Sequence, residues 1–238
     1  MKPDNIQRTG EPFSPQRLIP PGFASKIRQA GGGIEGERRF LTVMLADVSG
    51  FTAMAEVMDP EEVANLINDC FKVLIEIVYR YEGTVDKFIG DCVMALWGAP
   101  TAMDDDVFRA CAAALRASRR MERLKASWAA EGRKQMRVRI GVHCDTVVVG
   151  NVGSRARLSY TVMGDGVNVA SRIEGLNKQF GTSICISQNV YERVSDRIVA
   201  RALARVSIKG RKTEIMVYEL LGIAGSDDPE LAVHRAVA

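Results

Sequence analysis

The chain has 238 residues, 47% hydrophobic and 26% charged, which is the composition of an ordinary globular protein with one sizeable domain plus extensions. Lysine and arginine exceed the acids by 32 to 29, and a net charge of +3 is too weak to imply a nucleic-acid partner. The five cysteines form no CxxC pair and no spaced framework, so reduced thiols in a cytoplasmic setting are expected. No apolar run or leader pattern marks a membrane span or signal peptide.

Residues 1–36 read as a leader or linker, punctuated by Pro3, Pro12, Pro15, Pro20 and Pro21 and closed by three glycines, with a short helix or coiled segment expected within Arg17–Ala30. The globular part, 37–222, opens on a buried strand over Phe40–Ala46. Asp59-Pro60-Glu61-Glu62 starts a helix, with Asp as N-cap, Pro at the first helical position and acids in the first turn. Gly83 ends it. Thr84–Phe88 and Cys92–Trp97 then read as a hairpin turning at Gly90-Asp91. Asp104–Asp106 caps a long helix to about Ala130, along which Arg116, Arg119, Arg120, Arg123 and Lys125 form a solvated face. No aromatic interleaving accompanies these charges, so no nucleic-acid patch is read there. Met136–Cys144 and Val147–Val152 are strands, Asp165–Phe180 a helix and Ser183–Ser187 a strand. Ile198–Ile208 and Glu214–Leu221 make a last strand pair. Residues 223–238 read as a polar, Ala-rich tail, expected to be mobile. The mixture predicts an α/β fold with one mainly antiparallel sheet flanked by helices.

Two of these strands end in aspartates. Phe40-Leu-Thr-Val-Met-Leu-Ala-Asp47-Val-Ser-Gly-Phe-Thr52 is one segment and Val85-Asp-Lys-Phe-Ile-Gly-Asp91-Cys-Val-Met-Ala-Leu-Trp97 the other. A carboxylate held at the end of an apolar strand is costly unless a cation or donor pairs it. Two together suit Mg²⁺, the usual companion of nucleoside triphosphates. The Ser49-Gly50 turn before a helix offers backbone N–H groups to phosphate, although a plain capped loop reads the same way. Each aspartate alone is also ordinary turn chemistry. A third segment, Leu158-Ser-Tyr-Thr161-Val-Met-Gly-Asp165-Gly-Val-Asn168-Val-Ala-Ser-Arg172, places Asn168 and Arg172 four residues apart on one helical face, where they can grip a sugar-phosphate; a polar surface face reads the same way, with Val167, Ala170 and Ile173 then the buried positions. His143 reads as a packed strand residue, because no partner has metal-ligand spacing.

These segments, in this order over about residues 37–221, resemble the catalytic domain of class III adenylate and guanylate cyclases, which implies a ferredoxin-like (palm) cyclase fold. The resemblance implies that Asp47 and Asp91, with the Val48 carbonyl, hold two Mg²⁺ (or Mn²⁺) ions per site. It implies that Lys87 and Thr161 read the base, that Ser49, Gly50, Phe51 and Thr52 bind substrate, and that Lys209 contacts the terminal phosphates. Asn168 would orient the ribose and Arg172 stabilise the transition state. A lysine donates only, suiting adenine N1, and a hydroxyl can accept from the adenine amino group. Guanylate cyclases typically carry Glu at the lysine position, so ATP is expected. Thr161 resembles the subgroup that contains bicarbonate-responsive cyclases. In the family the site crosses a dimer interface, which implies a homodimer with two equivalent sites. The reaction implied is intramolecular phosphoryl transfer giving cyclic AMP and pyrophosphate, in intracellular signalling. Gly141-Val-His143-Cys144-Asp145-Thr146 departs from the family's frequent Gly-Ile-His-Thr-Gly, which bears on phosphate contacts. A guanylate cyclase and a non-enzymatic dimerisation module are the competing readings; the diguanylate cyclase signature is absent. A sensor or membrane region in a longer parent chain is compatible with residues 1–36.

Overall fold

The computed structural model describes residues 36–154, 157–207 and 214–233. The helix expected within Arg17–Ala30 lies outside them. The elements are β1 (Glu37–Ser49), α1 (Phe51–Ala55), α2 (Pro60–Arg80), β2 (Thr84–Ile89), β3 (Cys92–Trp97), α3 (Asp106–Ala130), β4 (Arg137–Ser154), β5 (Arg157–Met163), α4 (Asp165–Phe180), β6 (Ile184–Ser187), α5 (Gln188–Val194), β7 (Ile198–Val206) and β8 (Ile215–Ile223). They form one eight-stranded sheet in the order β2-β3-β1-β4-β6-β8-β7, with β5 paired to β4. Every pairing is antiparallel except β4 with β6. No described helix is long and apolar enough to cross a membrane.

β1 is central and buried on both faces. Met44, Ala46 and Val48 face α2 and α3 in the main core, whereas Leu41, Val43 and Leu45 face a second cluster with Met94, Leu96, Val147, Val149 and Val162. That two-sided burial explains its unbroken apolar run. α2 begins as its sequence predicts: Asp59 accepts a hydrogen bond from the Glu61 N–H at 2.9 Å, and Pro60 occupies the first helical position. The run Ala110–Ala114 in α3 is fully covered, and its small side chains let the helix lie close on the sheet.

Several expectations need correction. The two strands expected over 136–152 are one, because Asp145 and Thr146 stay in register opposite Leu41 and Phe40 of β1. β5 and α5 were not read from the sequence. The Asp104–Asp106 cap is also different in kind. Asp105 makes no side-chain cap hydrogen bond, and Asp106 is a buried first-turn residue that accepts from Thr42 Oγ1 at 2.9 Å. In α4 the buried set is Val169, Ala170 and Ile173, with Val167 only half-buried.

The basic stripe on α3 is solvated only in part, and the chain after β8 packs against it up to Val233. Arg116 is buried and pairs with Asp228 and Glu230, and Arg120 and Arg123 each approach Glu230 Oε1 at 2.7 Å. The Ile223 N–H donates to the Leu231 carbonyl at 2.8 Å, and Leu231 packs on the main core. Breaking a buried ion pair from one side strands its partner in a poorly solvated position. Glu230→Ala is therefore expected to lower the unfolding free energy by about 3 kcal/mol. Urea titration checks this, and a change inside about 0.5 kcal/mol, the size of a typical surface substitution, would show the clasp to be incidental.

The thiols behave as structural residues. All five cysteines are free. Burial pushes Cys70 and Cys144 up to about 12, far from thiolate chemistry. His143 is fully buried and its Nδ1 lies 2.8 Å from Ser187 Oγ, as expected of a packed strand residue.

Candidate active site

Asp47 ends the buried stretch of β1, directly opposite Cys92 of β3 and Arg139 of β4. Asp91 occupies the β2–β3 turn, and its carbonyl accepts from the Val48 N–H at 3.1 Å. The hairpin is thereby tied to the end of β1, and the two aspartates share one sheet end, both half-buried. Arg139 donates from Nη2 to Asp47 Oδ2 and from Nε to Glu174 Oε1 at 3.0 Å. Burial, followed by the charge of Asp47, pushes the Glu174 carboxyl up to about 7, and Asp91 adds to the shift. Burial also pushes the Cys92 thiol up to about 12, with Asp47, Glu174 and Asp91 all contributing. The negative potential converging here is what a divalent cation would relieve.

Arg139 and Glu174 were missed at the sequence level. Arg139 is the cross-strand partner of Asp47, and Glu174 arrives because α4 presses its backbone against β4 at Gly141. A Cβ there would lie 2.4 Å from the Glu174 nitrogen and 2.7 Å from the Ala170 carbonyl oxygen, so only glycine lets the two elements meet. The Gly-x-His pattern around Gly141 was the available signal.

Among the described residues no three His, Cys, Asp or Glu side chains are grouped to enclose a metal ion. The donor set nevertheless fits a hard cation that takes its remaining ligands from backbone, water or substrate oxygens. Ser49 Oγ, two residues beyond Asp47 in the chain, is buried without a hydrogen-bond partner. Gly50 follows with φ 94°, a left-handed turn that needs glycine, and α1 starts there with no side-chain cap. Phe51 is half-buried and packs against the main core.

A second group lies farther along the hairpin, where Lys87 is the cross-strand partner of Met94 in the second cluster. β5 curls over the cluster of Leu41, Val43, Leu45, Met94 and Leu96, with Val162 and Tyr160 packed into it. Thr161, 6% exposed, thereby meets Lys87: the ammonium donates to Thr161 Oγ1. Both residues contact Asp86, which the sequence reading passed over. Asn168 and Arg172 sit on α4, Asn168 exposed and Arg172 half-buried. Lys209 lies outside the described residues. Asp145, at the unusual Gly-Val-His-Cys-Asp-Thr segment, accepts from the Thr146 N–H at 2.8 Å and lies against the first turn of α4 beside Gly166.

The family model described as the adenylate and guanylate cyclase catalytic domain matches residues 37–222. The chain belongs to that family. This cyclase domain is 38% identical over 211 residues to adenylate cyclase 1 of Rhizobium meliloti, covering 89% of this chain and 31% of that protein. It is 34% identical to an adenylate cyclase of Anabaena cylindrica, covering 91% of this chain and 44% of that one. The chain thus spans less than half the length of these curated relatives. Among solved structures, the adenylyl cyclase CyaB from P. aeruginosa matches at 30% identity with a TM-score of 0.75, covering 84% of this chain and all of that one. The guanylyl cyclase Cya2 matches equally well, at 31% identity and a TM-score of 0.77 over 84% of this chain and all of that one. The fold of the cyclase domain therefore does not choose between adenine and guanine; its side chains must.

Proposed function

We propose that this domain converts ATP to 3′,5′-cyclic AMP and pyrophosphate at sites shared between two copies of the chain. The observation that carries the choice of ATP is the contact between Lys87 and Thr161, which sets a donor beside an acceptor. Adenine presents an acceptor at N1 and a donor at its amino group, whereas guanine presents the reverse on that edge.

In the reaction the ribose 3′-oxygen attacks the α-phosphorus. A 3′-O–P bond forms, the bond from the α-phosphorus to the oxygen leading to the β-phosphate breaks, pyrophosphate leaves and the hydroxyl proton is lost. Magnesium or manganese held by Asp47, Asp91 and the Val48 carbonyl would supply Lewis acidity, making the hydroxyl a better nucleophile and offsetting triphosphate charge. Arg139 keeps the Asp47 carboxylate oriented. The turn Ser49–Thr52 receives the phosphates, a role supported by the orphan Ser49 hydroxyl and the uncapped start of α1. Asn168 orients the ribose, and Arg172 counters the charge growing on the α-phosphate. Lys209 is assigned to the terminal phosphates by family likeness.

Pairing of two copies is supported by exposed apolar side chains on β2 and on the β4–β5 pair. Phe88, Ile89 and Met163 are each about half exposed, and Val148, the cross-strand neighbour of Met163, is 37% exposed. Exposed apolar side chains of this size on the hairpin and on the β4–β5 pair are candidates for contact with a second copy. Two-fold pairing would place the acidic end of one copy against Lys87, Thr161, Asn168 and Arg172 of the other.

The test is product formation by purified protein with ATP and GTP in parallel, over a range of Mg²⁺, Mn²⁺ and protein concentration. Cyclic AMP is expected, with specific activity rising as dilute protein associates. Cyclic GMP as the main product would give the guanylate reading, and no product from folded dimers would give the regulatory one.

A further inference from the structure

The β2 strand is irregular at one point. Val85 pairs with Ala95 and Lys87 with Met94, so β2 advances two residues while β3 advances one, and Asp86 is the extra residue. A bulge of this kind breaks strict alternation and re-aims the side chains beside it. Here it lets two successive residues, Asp86 and Lys87, converge on the same partner. The Asp86 side chain is only 2% exposed. Its Oδ2 accepts from Lys87 Nζ at 2.9 Å and from the Thr161 hydroxyl at 2.9 Å. Burying a carboxylate is costly, and Lys87 and Thr161 offset that cost by pairing with it.

The hydrogen bookkeeping of this triad is restrictive. A threonine hydroxyl has one proton to give and two lone pairs. The proton goes to Asp86, and one lone pair takes a proton of Lys87. What remains at Thr161 is a single acceptor. Lys87 has three protons, of which two point at Asp86 and Thr161, so what remains is a single donor. Without a fixed acceptor behind it, the Thr161 hydroxyl is free to turn and donate, which is what guanine O6 requires.

We propose that Asp86 is a specificity-determining positioning residue, holding Lys87 in place and taking the Thr161 proton so that the pair presents one donor and one acceptor to the base. This rests on the reading of Lys87 and Thr161 as base readers and adds the residue that fixes their polarity. Asp86 touches no nucleotide atom in this scheme and acts through its two neighbours.

The experiment uses Asp86→Asn, which preserves shape but offers N–H donors to the threonine. Displacement of a fluorescent ATP analogue by ATP and by GTP gives the affinity ratio without any turnover. Cyclic AMP formation by the wild-type chain, run in parallel, tests the enzymatic reading separately. The ATP-over-GTP affinity ratio is expected to fall by about 10-fold or more in the variant, the size of one hydrogen bond to a charged group. Thr161→Val removes the hydroxyl, and adding Asp86→Asn to it is expected to move the ratio less than Asp86→Asn does alone, because only the contact with Lys87 is then left to lose. If Asp86→Asn is poorly folded, Asp86→Ala, which leaves no acceptor behind the threonine, is measured in its place with the same expectation. A folded variant with the wild-type ratio, or one that weakens both nucleotides equally, would overturn the proposal and leave Asp86 a structural residue.

Discussion

Asp47→Ala is expected to lower the rate of cyclic AMP formation by on the order of 10³-fold at saturating ATP, in both Mg²⁺ and Mn²⁺. On the proposed reading, losing one of two carboxylates that would hold the metal removes several kcal/mol of stabilisation from the reacting phosphate, and each 1.4 kcal/mol is tenfold. The fold should survive. Asp47 lies at the strand end, and its partner Arg139 keeps Glu174 at 3.0 Å after the change. A thermal melt near the wild-type value, with activity gone, separates a chemical role from a structural one. A variant retaining activity within tenfold of wild type would show that Asp47 holds no catalytic metal.

Arg172→Ala is expected to lower kcat by roughly 10²–10³-fold while changing KM little, the pattern of a donor used where charge develops rather than in the ground state. Arg172 is half-buried on α4, and the neighbouring Ile173 anchors that helix in the third apolar cluster with Val169. The helix should therefore hold its position in the variant. Initial rates across ATP concentration give both parameters. A rise in KM with unchanged kcat would instead assign Arg172 to substrate binding alone.

The elements that were legible are those whose signals are local. β1 is an apolar run because both of its faces are covered. The start of α2 is written in Asp59 and Pro60, and the hairpin in the turn at Gly90 and Asp91. What escaped depends on partners far along the chain. Asp145 and Thr146 look like a break in a strand, yet β1 pairs with both. Arg116 looks like part of a solvated face until Asp228 and Glu230 return to it from more than a hundred residues away. Val167 and Val169 fit the same apolar count, and only the packing of α4 against β6 and β8 selects Val169.

The candidate site divides in the same way. Asp47, Asp91, Lys87, Thr161, Asn168 and Arg172 were nameable from motif likeness. The structure adds the pairing of Lys87 with Thr161 and ties the turn at Asp91 to the β1 segment after Asp47. Arg139, Glu174 and Asp86 went unread because each is defined by a cross-strand or cross-element contact, with Gly141 the one hint of the first two. They contact the nameable residues or one another, and no short pattern spells out those contacts.

The central claim is a site built from two copies, and mixing the two inactive variants tests it most directly. Asp47→Ala supplies intact Lys87, Thr161, Asn168 and Arg172, and Arg172→Ala supplies intact aspartates. Their heterodimer carries one complete site and one doubly broken site. With random association at equal amounts, half the dimers are mixed, so roughly one quarter of wild-type activity should return. Activity that stays at the level of the separate variants, while native mass spectrometry shows the heterodimer present, would contradict the shared site.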